Sequence, residues 1–313
     1  MSDNSTGFFK EERADQYCDF TDVGTEGKNH MKTTALNNDM GNVPVVPKLK
    51  DASLALENRV ATLTLQRDDV RNALTGTSLV DDIVDTVNWV NREPEVSALV
   101  ITGNGKAFSS GGNVTEMRNQ SGMFHGTPIN IQDQYRHGIQ QLPLALHSVE
   151  IPVIAAVNGP AIGAGFDLAC MCDIRIASTS ALVSEAFINF GITPGDGGAW
   201  FLQRLIGYQK AAELTFSGRL VSAYEALELG LFLEVVEPDA LMPRAYELAL
   251  QIAAKPPQAL RLTKRMMKIA QRSDLSDFLD LCACFQAMAH HTSDHVEAVS
   301  AFLDKRQPHF MGA

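Results

Sequence analysis

Two glycine-rich turns, each leaving an apolar strand, constrain this chain more than anything else in it. Residues 106–117 read KAFSSGGNVTEM and follow the run Ser97-Ala98-Leu99-Val100-Ile101-Thr102. Residues 158–173 read NGPAIGAGFDLACMCD, follow Val153-Ile154-Ala155-Ala156-Val157, and continue into an apolar helical pattern. Small residues let a ligand approach the backbone closely, and a helix start supplies unpaired N–H donors and partial positive charge. Each cluster alone is compatible with an ordinary tight turn. Together they suit an oxygen atom on which negative charge develops, held between backbone N–H groups. No GxGxxG with an acidic residue about 20 positions later is present, so the second turn is not a dinucleotide fingerprint.

The periodicity around these turns predicts an α/β protein. Ser53–Glu57 and Arg59–Leu65 read as a hairpin, with Ala61, Leu63 and Leu65 alternating against Thr62 and Thr64. Leu79, Val80, Ile83, Val84, Val87 and Val90 have helical spacing after Thr77-Ser78 as candidate caps. A polar stretch at 119–131 precedes a helix expected over about 133–148, and 182–190 reads as extended. The last part reads as four helices, about 239–254, 257–271, 275–290 and 293–304, with Pro256-Pro257 separating the first two. Residues 1–50 are polar, acidic and aperiodic, and read as a flexible arm. That arm has neither the Arg-rich character of a transit peptide nor the apolar region of a signal peptide.

These motifs, with CDIRIA at 172–177 and TFSGRL at 215–220, resemble the crotonase superfamily of enoyl-CoA hydratases and isomerases from about residue 53 to 310. The resemblance implies a spiral of repeated ββα units over 51–235 and a C-terminal helical trimerisation region over 236–313. It implies an enzyme that binds an acyl-CoA thioester, with Gly112 and Ala164 donating backbone N–H groups to the thioester oxygen. Arg71 and Ala73 match a turn near the CoA adenosine and phosphates. Lys106, Ser110, Phe187 and Lys305 fall at further substrate positions, the last with Arg306 reaching the CoA of a neighbouring subunit. No separate cofactor is implied, because CoA is part of the substrate. A homotrimer, or a hexamer made from two trimers, is the assembly expected.

The acid/base residues depart from the family pattern. Two glutamates hold and deprotonate water in hydratases of this family, and their places fall on Asp167 and Phe187. Phenylalanine transfers no proton. Asp167 is the first candidate acid/base and Asp196 the second, the latter in GITPGDGGAW at 191–200, a layout similar to isomerase branches of the superfamily. Structural alternatives exist for each acidic residue. Asp196 before Gly-Gly-Ala-Trp suits a helix N-cap, Asp167 suits a first helical turn, and Glu185 reads as a surface or ion-paired side chain. Isomerisation without hydration, hydrolysis of the thioester or of a C–C bond, and binding without turnover are the alternatives to the hydratase/isomerase reading.

Composition excludes other classes. A formal net charge of −11 argues against nucleic acid as a partner, because polyanion binding needs a basic surface. No run approaches the roughly 18 apolar residues of a membrane span. The five cysteines, Cys18, Cys170, Cys172, Cys282 and Cys284, have spacings suited to neither zinc nor a disulfide framework and read as buried reduced thiols in a cytoplasmic protein. His125 lies in a loop that lines acyl pockets in relatives. His290, His291 and His295 are expected to be structural or surface residues, with no metal bound.

Overall fold

The computed structural model describes residues 44–312; the proposed arm lies, apart from 44–50, outside the described residues. The hairpin forms as expected from β1 (Ala52–Glu57) and β2 (Val60–Leu65), paired antiparallel with Ala52 opposite Leu65. Helix α1 (Leu79–Arg92) follows, burying Leu79, Ile83, Val87 and Val90 as one stripe. Ser78 does not cap it through its side chain. Instead the Asp51 carboxylate accepts the Ser78 N–H at 2.6 Å, and Thr77 Oγ1 accepts the Leu79 N–H at 3.3 Å.

Strand β3 (Ala98–Gly103) leads through the first glycine turn to α2 (Val114–Asn119), then α3 (Pro128–His137) and α4 (Gln141–Ser148). The single helix expected over 133–148 is therefore two helices, broken at Gly138 with φ −108° and ψ −111°. It also starts earlier, because Thr127 and Asn130 form a capping box around Pro128 at the first helical turn. Strand β4 (Val153–Val157) precedes the second glycine turn, which contains β5 (Ala161–Ile162) and opens α5 (Ala164–Met171). Then come β6 (Ile174–Ser178), β7 (Leu182–Ser184), α6 (Gly198–Ile206), α7 (Tyr208–Ser217), β8 (Val221–Ser222), α8 (Ala223–Leu229) and β9 (Glu234–Val236). The chain closes with α9 (Pro238–Ala253), α10 (Pro257–Ala270), α11 (Leu275–His290) and α12 (Ser293–Asp304).

Six strands form one sheet in the order β1-β2-β3-β4-β6-β9, parallel except for the first pair. A smaller sheet, β5-β7-β8, stands beside it. Parallel strands covered on both faces are apolar throughout rather than alternating, and every residue of Ala98–Thr102 and Val153–Val157 is buried. Leu99, Ile101, Val153, Ala155 and Val157 point into the larger core with α1, α4 and α5. Val100, Ile154, Ala156 and Ile176 point the other way, onto Leu241, Ala245, Ala249 and Ala253 of α9. Thus α9 belongs to the packing of the sheet. Truncating a buried leucine here, such as Leu99→Ala, would cost about 2–5 kcal/mol.

Two cations on α10, half-buried Arg261 and buried Lys264, fasten the start of the C-terminal helices. Arg261 Nη2 donates to the carbonyls of Val90 and Glu93, left open at the end of α1, and to that of Val96 before β3. Lys264 Nζ reaches the Ile151 carbonyl at 2.5 Å and Asp173 at 2.6 Å. Beyond α10 the apolar surface is less covered: Leu275 and Leu279 on α11, and Phe302 and Leu303 on α12, are exposed.

Candidate active site

The two glycine turns meet. Ser109 and Ala161 form a parallel bridge, with the Ile162 N–H donating to the Ser109 carbonyl at 3.0 Å. Ser109 Oγ donates to the Asn72 carbonyl at 2.7 Å and accepts the Gly111 N–H at 3.1 Å. Asn158 ties the segments further, accepting the Gly103 N–H and donating to the Gly105 carbonyl, each at 3.1 Å. Gly111 has φ +75°, and a β-carbon on it would lie 2.9 Å from the Ala164 nitrogen. Gly165 has no room for one either, since it would strike the Ser109 backbone. These glycines are therefore required by close approach as well as by backbone conformation.

Gly112 and Ala164 consequently face one cavity, which Ser110, Gly163, Ile162 and Thr75 also line. Ala164 is the first residue of α5, where an N–H has no acceptor within the helix. Neither its N–H nor that of Gly112 has a protein acceptor among the described residues. The far wall is apolar and aromatic, built from Met117, Met123, Phe124, Tyr135, Ile139, Phe187, Phe190 and Ile192. An oxygen held at the two N–H groups thus has an apolar chamber beside it.

Around residue 187 the extended reading fails. β7 ends at Ser184, and Ala186–Phe190 coil into a 3-10 turn closed by Gly191 at φ +69°. The two-residue alternation stops there. Phe187 places its ring over Gly163, 3.7 Å from where a β-carbon of that glycine would sit, and lines the cavity. Glu185 turns inward and is 1 % exposed, with no cation beside it. The surface or ion-paired reading of Glu185 is thereby overturned.

Glu185 meets two other carboxyl groups. Asp167 on α5 is 0 % exposed and Asp196, in the turn before α6, is 2 % exposed. Asp196 is not an N-cap: Gly197 holds that position, and no side chain caps α6. None of the six carboxyl oxygens has an N–H or O–H partner among the described residues. Only Asp196 borders the cavity. Burial pushes the Asp167 carboxyl well above the usual carboxylate range, reinforced by the charges of Asp196 and Glu185. Burial also raises Asp196, and takes Glu185 from 4.5 to about 7, with the Asp196 charge adding to it. Tyr135, beside Asp196, is raised by burial and then by that same charge.

Other expected residues lie around or away from this chamber. Asn72, between Arg71 and Ala73, is wholly buried and bonds the carbonyls of Asn104 and Ala107, so it holds the turn together. Ala73 bridges to Gly111, while Arg71, at φ +54°, and Lys106 are exposed close by. Ser110 lines the cavity with its hydroxyl donated to the Val70 carbonyl at 3.2 Å. Lys305 ends α12 at φ +53°, and Arg306 is engaged by Glu297. His125 is exposed and does not line the cavity. His290 faces His295, with Nδ1 and Nε2 3.0 Å apart. Cys170 and Cys172 are buried free thiols pushed up by burial. Cys284 is exposed and Cys282 half-buried, so the buried-thiol reading holds for only one pair; Cys18 lies outside the described residues.

Residues 55–313 match the model of the family described as Enoyl-CoA hydratase/isomerase. The crotonyl-CoA hydratase of Syntrophomonas wolfei is 35 % identical over 261 residues, spanning 82 % of this chain and 96 % of that protein. The 1,2-epoxyphenylacetyl-CoA isomerase of Escherichia coli is 33 % identical over 258 residues, spanning 82 % and 97 %. Among solved structures, an enoyl-CoA hydratase from Bacillus anthracis superposes with a TM-score of 0.77 at 32 % identity, covering 84 % of this chain and all of that one.

Proposed function

The chain belongs to the enoyl-CoA hydratase/isomerase family, and on that premise we propose that it shifts the double bond of an enoyl-CoA by moving one proton with Asp196. Two features support this reading. Gly112 and Ala164 line one cavity with N–H groups that have no protein acceptor among the described residues, which suits a thioester oxygen becoming an enolate, and donors aimed at developing charge are worth about 10²–10³ in rate each. Asp196 is the one carboxyl group among the described residues that lines the same cavity. Asp167 lies behind that wall and supports Asp196, in place of acting first. The Asp196 carboxylate oxygen takes a proton from the carbon beside or beyond the unsaturation, the C–H electron pair passes to the thioester oxygen, and Asp196 returns the proton at the other carbon.

Phe187 favours isomerisation over hydration. Its ring lies over Gly163 in the wall of the cavity that Asp196 also lines, and presents a surface that can neither orient nor deprotonate water. Arg71 and Lys106 are assigned to the CoA phosphates, and Lys305 to a neighbouring subunit's CoA. The exposed apolar residues of α11 and α12 are assigned to a trimer contact. No described helix is long and apolar enough to cross a membrane. We place the enzyme in the cytoplasm, where the thiols of Cys170 and Cys172 stay reduced. No part in the site is assigned to residues 1–50.

The test is turnover of 3-enoyl-CoA and crotonyl-CoA, followed by mass and by absorbance of the conjugated product. Asp196→Asn, which keeps shape but transfers no proton, should lower isomerisation by about 10² or more and leave acyl-CoA binding intact. Addition of water to crotonyl-CoA as the main reaction, or an Asn variant as active as the parent, would refute this proposal.

A further inference from the structure

Three carboxyl groups buried together with no cation cannot all be charged, because desolvation of each ion costs several kcal/mol and their mutual repulsion adds to it. The stack must carry protons. Its geometry says where. Asp167 is in the middle, within hydrogen-bonding reach of both Asp196 and Glu185. Asp196 meets the cavity, and Glu185 and Asp167 do not. Space for the inner two exists because residue 198 is glycine: a β-carbon there would lie 2.5 Å from Asp167 Oδ2 and 2.5 Å from Glu185 Oε1. Other groups facing the stack are few. Cys170 on α5 feels the Glu185 charge and Tyr135 on α3 faces Asp196. Arg175 on β6 lies beyond Cys170 and is committed to the carbonyls of Leu231 and Cys172.

Resting on the proton-transfer function above, we propose that Glu185 is a positioning residue. Its protonated carboxyl donates to Asp167, which turns the Asp167 hydroxyl toward Asp196 and leaves Asp196 as the one ionised member at the cavity. The inner protons of Glu185 and Asp167 stay in place during turnover. The proton that moves is the substrate's, from carbon to Asp196 and back to carbon. Burial raises both inner groups, Asp167 well above the usual carboxylate range and Glu185 to about 7, so the pair holds its protons on the acid side of that value. When Glu185 ionises near pH 7, it draws the Asp167 proton away from Asp196, and the base loses its donor.

Two readouts test this on the full-length protein. The first is the infrared C=O stretch of protonated carboxyl groups, recorded without substrate from pH 5 to 9. The wild type should show buried protonated carboxyl absorption that fades above pH 7. Glu185→Gln should lose that titrating component and Glu185→Asp should keep it. The second is the pH profile of kcat on a 3-enoyl-CoA. Wild-type kcat should fall above pH 7. Glu185→Gln, whose amide can still donate to Asp167, should stay within about threefold of wild type at pH 6 and lose the alkaline fall. Glu185→Leu should lose about tenfold or more in kcat with KM unchanged, as for a missing hydrogen bond to a charged network. A merely structural Glu185 would shift stability without altering the shape of the profile. An alkaline fall that persists in Glu185→Gln, or a carboxyl band indifferent to it, overturns the proposal. A protein inert toward every enoyl-CoA would sink the isomerase reading instead, and the infrared band would still decide whether Glu185 holds a proton.

Discussion

Replacing buried Glu185 by glutamine should make the protein more stable at alkaline pH, contrary to the usual result for a buried polar residue. The sign follows from the raised pKa. Glu185 holds its proton in the folded chain to about 7, against 4.5 when exposed. The folded state therefore binds more protons than the unfolded state between those values, and stability falls as pH rises through that window. At about 1.4 kcal/mol per pH unit, the interval removes roughly 3 kcal/mol by pH 8. Glutamine has nothing to ionise and loses none of it. The side chain is almost wholly buried, so screening by water offsets little of this figure. The assay is thermal unfolding of wild type and Glu185→Gln from pH 4.5 to 8.5. The Tm difference should grow in favour of the variant by about 6 °C across that range, at about 2 °C per kcal/mol for a domain of this size. Parallel curves for the two proteins would refute the reasoning, because the groups outside the Asp167, Glu185 and Asp196 cluster cancel in the difference.

Ala164→Pro removes the donor N–H and should lower turnover about 10²–10³-fold, whereas Ala164→Gly should stay near wild type; comparison of kcat for the two checks it. Gly111→Ala must take φ +75° and press a methyl group against the Ala164 nitrogen. It should cost about 2–4 kcal/mol by denaturant titration and weaken acyl-CoA binding. Light scattering at micromolar concentration should give a trimer or hexamer, and Phe302→Glu on exposed α12 should shift it toward monomer.

Much of this architecture was legible because its signals are local. The Ala61-Leu63-Leu65 alternation specifies a half-buried strand, and the stripe from Leu79 to Val90 specifies one helix face. The glycine turns were readable because close backbone approach tolerates few residue types. Other features were not. Thr127-Pro128 with Asn130 is a helix start that could have been read, yet the polar stretch around it obscured the signal. Glu185 reads as a surface or ion-paired residue because a lone glutamate is usually solvated, and its two carboxyl neighbours, Asp167 and Asp196, come from segments that local pattern does not connect to it. Asp196 is ambiguous in sequence, since the same Asp-Gly-Gly string serves a helix cap and a cavity wall. The order β1-β2-β3-β4-β6-β9 depends on pairings between distant segments, which periodicity does not encode.

The bridge between Ser109 and Ala161 joins stretches of chain far apart in sequence, and it has a kinetic meaning. Contacts of such separation close late, because the intervening loop entropy must be overcome first. The proposed thioester cradle needs the Gly112 and Ala164 segments together, and neither segment alone forms it. A partly refolded chain with its hairpin and α1 in place therefore has no weakened version of the site, only none. During refolding, helical signal should return ahead of acyl-CoA binding, and the return of binding marks the moment when both sheets have closed on each other.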